Sequence, residues 1–317
     1  MSDQHPIAPS PSSQKLLLAP GTLWSQLAEC TQHALQCGAL HTIPTAYELV
    51  EHGGIQFIVR ILANLVRKEK AQQKQAQAKA TSGKAFNPFL PYETDLFVTD
   101  ISATHLCLLN KFNVVDHHLL IVTRAFEDQD SWLNWLDFEA LWACMAEFEG
   151  LAFYNGGKLA GASQRHKHLQ LVPLPIVPEG PAMPIEAAIA STQFTNGMGT
   201  VPAFPFVHAI APLDPDSIGS TSQAAATLLA NYQTLLRAVG LLPSNGSNPD
   251  HQTGPYNLLV TRRWMMVVRR SQEQFASISV NSLGFAGSLL VRDTEQMQLL
   301  KRRGPMTILS NVACSNP

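Results

Sequence analysis

The sequence predicts an α+β fold, an antiparallel sheet with flanking helices, on three observations. Short β-rich runs and amphipathic helical runs are intermixed without the regular strand–helix alternation of a doubly wound sheet. Two pairs of runs, 105–109 with 119–122 and 256–260 with 264–269, are joined by turns short enough for antiparallel neighbours. A third pair, 151–154 and 168–172, is joined by a Gly-rich stretch. The sequence shows no internal repeat.

Taken in order, residues 1–15 are rich in Ser, Pro and Gln and read as a flexible arm. Trp24 to Cys37 has helical spacing through Trp24, Leu27, Ala28 and Leu35. Ile55 to Leu62 reads as a strand. Lys68 to Lys79 is Gln, Ala and Lys with little to bury and reads as a solvated helix or loop. Thr81 to Lys84 reads as a hinge into Asn87-Pro88-Phe89. Asp95 to Val98, His105 to Leu109 and Leu119 to Val122 follow as β-favouring runs. Trp132 to Phe148 is helical, with Trp135, Phe138, Leu141, Trp142 and Met145 as core rather than a cofactor box.

Beyond Val172, Pro173 to Pro184 is Pro-rich and expected to run irregularly over the surface. Phe206 to Ile210 reads as a short strand. Thr221 to Val239 is a helix carrying Leu228, Leu229, Tyr232 and Leu235, and Ser244 to Pro249 is a loop. Tyr256 to Val260 and Trp264 to Arg269 form a hairpin turning at 261–263. Val280 to Leu290 is apolar with small residues, and Thr294 to Val312 is expected to be helical.

Bulk properties narrow the function. With 317 residues, 45% of them hydrophobic, the chain can bury a large core. A net charge of −2 gives no support to a general nucleic-acid or membrane-surface role. The five cysteines are scattered and form no C-x-x-C, which argues against a disulfide framework or a Cys-rich zinc site and for a reducing compartment. No apolar run approaches the roughly 20 residues of a membrane span, and Leu16 to Pro20 is too short for a signal-peptide core. A cytoplasmic enzyme acting on small molecules is the expectation.

The most informative segment is His166-Lys167-His168-Leu169-Gln170, directly after the Gly-rich stretch Asn155 to Ala162. On a strand, His166, His168 and Gln170 share one face. Spacing alone leaves three readings open: two structural histidines, two ligands of a metal whose third ligand would come from a residue distant in sequence such as His118, His208 or Asp116, or a catalytic pair. Gly83-Lys84 and Gly156-Gly157-Lys158 lack the Ser or Thr of a phosphate-binding P-loop, and there is no G-x-G-x-x-G or G-x-S-x-G. A neutral imidazole can attack phosphorus without a separate base if its other nitrogen is held protonated by a carbonyl. Donors must then carry the charge on the non-bridging oxygens, and Lys111, Ser163 and Gln164 are suitable types.

Several separated blocks carry a resemblance. They are Asn87-Pro88-Phe89-Leu90, Leu109-Asn110-Lys111-Phe112, His118 to Thr123, Asn155 to Gln170, Tyr256 to Thr261 and Asn281 to Gly287. In these blocks the chain resembles ATP adenylyltransferases, also called diadenosine tetraphosphate (Ap4A) phosphorylases. They belong to the histidine-triad superfamily near galactose-1-phosphate uridylyltransferase. The resemblance implies a HIT-like, uridylyltransferase-like sheet, with a catalytic region at 16–185 and a C-terminal region at 186–317 packed on it as one unit. It implies reversible transfer, ADP + ATP = Ap4A + phosphate, through an adenylyl group on His168, with His166 and Gln170 beside it.

The same resemblance implies that Asn110, Lys111, Asn155, Gly161, Ala162, Ser163 and Gln164 bind nucleotide and phosphates, with Lys84 a basic residue ahead of the Asn-Pro-Phe block. Asn281, Ser282, Leu283, Ser288 and Arg292 match a C-terminal block over the second nucleotide. Ser288 and Arg292 stand where the family pattern has Met and Lys. No covalently bound cofactor is implied. Mg²⁺ or another divalent ion is expected with the nucleotide, because a polyphosphate needs neutralising. The expected partners are Ap4A, ATP, ADP and phosphate, with sulfate as a side acceptor, and no nucleic acid or membrane; a monomer is favoured. The alternatives are a hexose-1-phosphate nucleotidylyltransferase, whose relatives carry Pro where this chain has Lys167, and a nucleotide-binding regulator without turnover. Gln170 stands where many histidine-triad hydrolases have a third His, and an amide cannot exchange protons near neutral pH. Poor activation of water, and hence transfer over hydrolysis, is the implied consequence.

Overall fold

The computed structural model describes residues 15–62, 87–217, 219–242 and 251–316. Lys84, the segments read as a solvated stretch and a hinge, and the loop at 244–249 lie outside the described residues, as does nearly all of the N-terminal arm.

The strands are β1 (Thr45–His52), β2 (Ile55–Leu62), β3 (Phe97–Asp100), β4 (His105–Leu109), β5 (Leu119–Thr123), β6 (Gly150–Gly156), β7 (His168–Pro173), β8 (His208–Pro212), β9 (Tyr256–Val260), β10 (Trp264–Arg269), β11 (Gln274–Phe275), β12 (Ile278–Ser279) and β13 (Ser288–Val291). Eight of them form one antiparallel sheet in the order β3-β4-β5-β7-β6-β9-β10-β8. The fold is therefore α+β, as the mixed pattern predicted. A smaller sheet, β1-β2-β13, has β13 parallel to β2.

Alternation along the strands divides the large sheet into two faces. Leu169 and Leu171 of β7, Ala152 and Tyr154 of β6, and Leu258 and Val260 of β9 face one core, which the helices Leu23–Cys37, Trp135–Met145 and Thr221–Ala238 cover. Leu151 and Phe153 of β6, Val172 of β7 and Leu259 of β9 face a second core, shared with β2, β13 and the helices Thr294–Arg303 and Pro305–Val312. His168, Gln170, Asn155 and Asn257 have the parity of this second face.

Several elements differ from the sequence expectation for identifiable reasons. The helix expected at 132–148 spans Trp135–Met145, because Asn134 and Asp137 form a reciprocal cap: Asn134 Oδ1 accepts from Asp137 N at 3.2 Å while Asp137 Oδ2 accepts from Asn134 N at 2.7 Å. The single helix expected over 294–312 is two, broken at Gly304, which has φ +84°, with Pro305 starting the second. A Cβ at Gly304 would collide with the His52 ring, so the break is also a close approach. The strands expected at 95–98 and 206–210 begin two residues later; Thr94–Leu96 is a 3-10 turn, and Phe206 bridges Ser315 instead. Sequence reading missed β1, which has no buried residue and thus no apolar face to read. It also missed the one-turn helix Glu186–Ile189, just after the Pro-rich region.

Candidate active site

A cavity of about 1340 Å³ opens against the polar part of the second face. It exceeds the roughly 300–1,000 Å³ of an ordinary small-molecule pocket. His168 and Gln170 of β7 line it, as do Asn155 of β6, the loop residues Gly161, Ala162, Ser163 and Gln164, and Asn110 and Lys111 after β4. Asn281, Leu283, Ser288 and Arg292 line it from the C-terminal part. Thirteen sequence positions separated by up to 182 residues thus meet at one opening.

Two of the expected residues do not reach it. Ser282 is fully buried, and its hydroxyl lies 2.8 Å from Asn155 Oδ1 and 3.0 Å from the Tyr154 carbonyl. It is a prop for Asn155, because the turn it begins packs into the sheet rather than over the cavity. His166 precedes β7 and is buried behind His168. Its Nε2 donates to the Thr123 carbonyl at 2.8 Å, and its Nδ1 accepts from Asn87 Nδ2 at 2.9 Å. Phe89 packs its ring edge against the His166 ring and tilts over that of His168.

His168 is set by the backbone its neighbour holds. Its Nδ1 donates to the His166 carbonyl at 2.8 Å. That fixes the tautomer and leaves Nε2 with a lone pair and no hydrogen-bond partner among the described residues. Burial pushes the imidazole down to about 4, against the pull of that carbonyl, so it is neutral near pH 7. Burial likewise lowers His166 below its usual value, with the Thr123 carbonyl opposing.

Gln129, which sequence reading missed, completes the strand at this point. Paired residues of β6 and β7 end at Phe153 and Gln170. Beyond them the Gln129 side chain fills the gap: Oε1 accepts from His168 N at 2.9 Å, and Nε2 donates to the Asn155 carbonyl at 3.0 Å and that of His168 at 3.3 Å. An amide side chain supplies here what a neighbouring backbone supplies elsewhere.

The orientation of Gln170 follows from a chain of donors with only one consistent polarity. The Phe112 N–H can only donate, so the Asn110 atom 3.3 Å from it is Oδ1. Asn110 Nδ2 therefore donates to His118 Nδ1 at 3.2 Å. Neutral His118 then has its proton on Nε2, which donates to Gln170 Oε1 at 2.9 Å. Burial pushes His118 down to about 4, so it has one donor and one acceptor, as the chain requires. The Gln170 NH₂ group is left as a donor at the cavity.

The loop after β6 brings backbone donors to the same place. Gly161 has φ +92°, and a Cβ there would meet Asn281 Cβ at 2.9 Å and the Val280 carbonyl at 3.0 Å. Only glycine permits this approach. The N–H groups of Ser163 and Gln164 take no partner among the described residues, while those of Gly161 and Ala162 close the turn onto Lys158 and Gly157. Beneath the loop, Asn257 Nδ2 donates to Asn155 Oδ1 and to the Ala160 carbonyl, both at 2.9 Å. Arg270, also unforeseen, donates to Asn257 Oδ1 and to the carbonyls of Ala160, Val280, Gln272, Glu273 and Val312. A polar Asn in the apolar run Tyr256 to Val260 was the available sequence signal for this knot. On the facing wall, Lys111 Nζ contacts both oxygens of Glu93 at 2.6 and 2.7 Å.

A neutral imidazole with a free lone pair, beside uncommitted N–H donors, has the chemistry that transfer of a phosphoryl-linked group requires. Comparison with known proteins places the chain in a family. Residues 13–191 match the Ap4A phosphorylase N-terminal domain, and residues 202–315 match the ATP adenylyltransferase C-terminal domain. The chain is 30% identical over 265 residues to diadenosine 5',5'''-P1,P4-tetraphosphate phosphorylase 2 of Saccharomyces cerevisiae, covering 75% of this chain and 79% of that protein. It is 27% identical over 209 residues to Protein APA1 of the same yeast, covering 59% and 61%. Its fold overlays the crystal structure of yeast Ap4A phosphorylase Apa2 with a TM-score of 0.73 at 24% identity, over 95% of this chain and 99% of that one. The complex of Apa2 with Ap4A overlays with a TM-score of 0.74 at 23% identity, over the same shares. By these matches, which span both halves of the sequence, the chain belongs to the Ap4A phosphorylase family.

Proposed function

We propose that the chain catalyses phosphorolysis of Ap4A to ATP and ADP, reversibly, through an adenylyl group carried on His168. The observation that carries this reading is His168 itself, with Nδ1 bonded to a backbone carbonyl, Nε2 free and the ring neutral. In the first step Nε2 attacks the α-phosphorus, the N–P bond forms, the bond to the bridging oxygen breaks, and ATP leaves. In the second, an oxygen of inorganic phosphate attacks the same phosphorus, the N–P bond breaks, and ADP leaves with His168 restored. The adduct is cationic at imidazole, and the His166 carbonyl opposite Nδ1–H stabilises it. Burial works against that cation, so the adenylyl group is held at high transfer potential.

Gln170 NH₂ and the N–H groups of Ser163 and Gln164 serve the non-bridging oxygens. Lys111 would exchange Glu93 for phosphate, and Asn281, Leu283, Ser288 and Arg292 would line the second nucleotide's end. The likeness to the Apa2 complex with Ap4A supports small-molecule dinucleotide substrates. No helix among the described residues is long and apolar enough to cross a membrane. The carboxylates lining the cavity are Glu93, held by Lys111, and Glu273, held by Ser279. Neither is poised to hold a resident cation, so Mg²⁺ would arrive on the polyphosphate oxygens, where it neutralises charge.

The test is direct. The protein is incubated with ATP labelled at the α-phosphate, quenched, and assayed for an acid-labile, base-stable adduct. An adduct that is absent, or equally strong in His168→Ala, overturns the mechanism. Ap4A with phosphate, set against UDP-glucose with galactose-1-phosphate, separates the phosphorylase from the hexose-phosphate reading. Gln170→His is expected to raise hydrolysis relative to transfer; an unchanged ratio removes that role for the amide.

A further inference from the structure

Outside the cavity lining, one group of metal-ligating side chains converges among the described residues. His33, Cys37 and Asp95 each place a ligand atom within 4.8 Å of the other two, and all three are exposed. His33 and Cys37 are four residues apart on the helix Leu23–Cys37, one turn above one another. Asp95 comes from the 3-10 turn packed against that helix, 62 residues away from His33, with Oδ1 at 2.9 Å from His33 Nε2. Spacing does not connect the three, because the third group arrives through the fold.

A His–Asp contact alone is an ordinary surface pair. A thiol beside it is less ordinary, since free cysteine is among the more buried residue types. The turn bearing Asp95 is also fixed from outside the trio: Cys30 Sγ donates to the Phe97 carbonyl at 3.3 Å and lies 3.7 Å from that of Asp95. We propose that His33, Cys37 and Asp95 form a surface site for a thiophilic divalent cation of the Zn²⁺ or Co²⁺ type, with water as the fourth ligand. Zinc takes imidazole, thiolate and carboxylate at about 2.0–2.3 Å in a tetrahedron, which sets donor atoms roughly 3.3–3.8 Å apart. Side-chain rotations of exposed groups suffice to reach that. A mixed N, S, O set selects these ions over Mg²⁺ or Ca²⁺, which take oxygen. On binding, Cys37 loses its proton to solvent and the metal–sulfur bond forms, so affinity falls with falling pH. None of the three lines the large cavity, although Leu35, Glu93 and Leu96 beside them do, and the site stands whether or not the proposed reaction holds.

The test uses the full chain without nucleotide. Zn²⁺ is titrated against a colorimetric chelator, and Co²⁺ binding is followed by the near-ultraviolet thiolate-to-cobalt band. One equivalent is expected, with His33→Ala, Cys37→Ser and Asp95→Asn each weakening it by more than about tenfold, the scale that even outer partners of a ligand produce. Cys30→Ser is expected to keep the cobalt band, and losing it would overturn the assignment of the sulfur ligand. Far-ultraviolet circular dichroism confirms that these surface variants stay folded. Equal Zn²⁺ binding by the triple variant, or Co²⁺ binding without a thiolate band, overturns the site.

Discussion

On one side of the segment leading into β7, Lys167 Nζ lies 2.8 Å from Glu127 Oε2 and 2.9 Å from Asp137 Oδ2, and His105 Nε2 lies 3.0 Å from the other Asp137 oxygen. On the other side, His168 and Gln170 are almost as buried, yet each presents an uncommitted nitrogen to the cavity. Burial alone would raise the Asp137 carboxyl, but the His105 hydrogen bond and the Lys167 charge outweigh it and hold the carboxyl below its usual range. Burial would lower Lys167, but the charge of Asp137 and bonds to both carboxylates hold it raised. For His168 and His118 no counter-charge intervenes, and burial wins. One side is charged and saturated; the other is neutral and deliberately short of partners. Neighbouring residues of one segment thus separate a saturated ion network from groups open to the cavity by the parity of the strand, and on the proposed reaction that separates stability from chemistry.

The division can be broken from either side. The largest effect is expected for His168→Ala, which removes the proposed nucleophile: kcat for phosphorolysis should fall by about 10⁴-fold or more, with little change in the urea midpoint. A comparable kcat would show that the neutral side does not carry the chemistry. Lys167→Met should do the reverse. It leaves Asp137 buried without its cation and should destabilise by about 3–5 kcal/mol in urea unfolding, while kcat of the folded fraction stays near wild type. Equal stability would mean that the ion network is replaceable.

Smaller effects refine the comparison. His118→Phe frees Gln170 to turn its carbonyl toward the phosphate, and the loss of an oriented donor to an anion predicts about a ten- to hundredfold drop in kcat with less change in KM. A pure KM effect would assign the relay to ground-state binding instead. Smallest per pH unit is the titration. His168 and His118 have folded values of about 4 against an ordinary 6.5. The unfolded chain therefore binds more protons between those limits. Stability is full above about pH 6.5 and falls toward pH 4, by at most about 1.4 kcal/mol per unit for each ring. The kcat profile should show no imidazole inflection near 6.5; one found there, and removed by His118→Phe, would mean that this ring is charged in the working enzyme.

Much of the site was legible because strand parity is local. Two histidines and a glutamine at alternate positions, beside a glycine-rich loop, are visible in a dozen residues. The amphipathic helices were equally plain, since each shows its apolar stripe within a few turns. What lay hidden acts across distance. Gln129 joins strands it does not belong to, His118 matters through a partner 52 residues away, and Arg270 finds six acceptors that no spacing rule connects. Ser282 was expected at the cavity for the same reason, whereas His166 sits beside His168 as its spacing suggested, with its carbonyl on His168 Nδ1. A sequence shows that a polar side chain must be satisfied, but only the fold says whether it faces solvent, substrate or another side chain.

The pairing of β6 with β9 joins the stretch matched by one domain description to the stretch matched by the other. Ala152 to Gly156 on one side and Tyr256 to Val260 on the other form consecutive rungs of a single ladder. The two stretches are therefore not modules that evolution or an engineer could trade freely. Cut between them, the first would keep the histidines but expose a raw central edge of sheet, open to whatever strand next drifts by. The second would keep the matching edge and Arg270. Such fragments are natural candidates for reassembly by complementation, with the ladder as the seam and recovered activity as its readout.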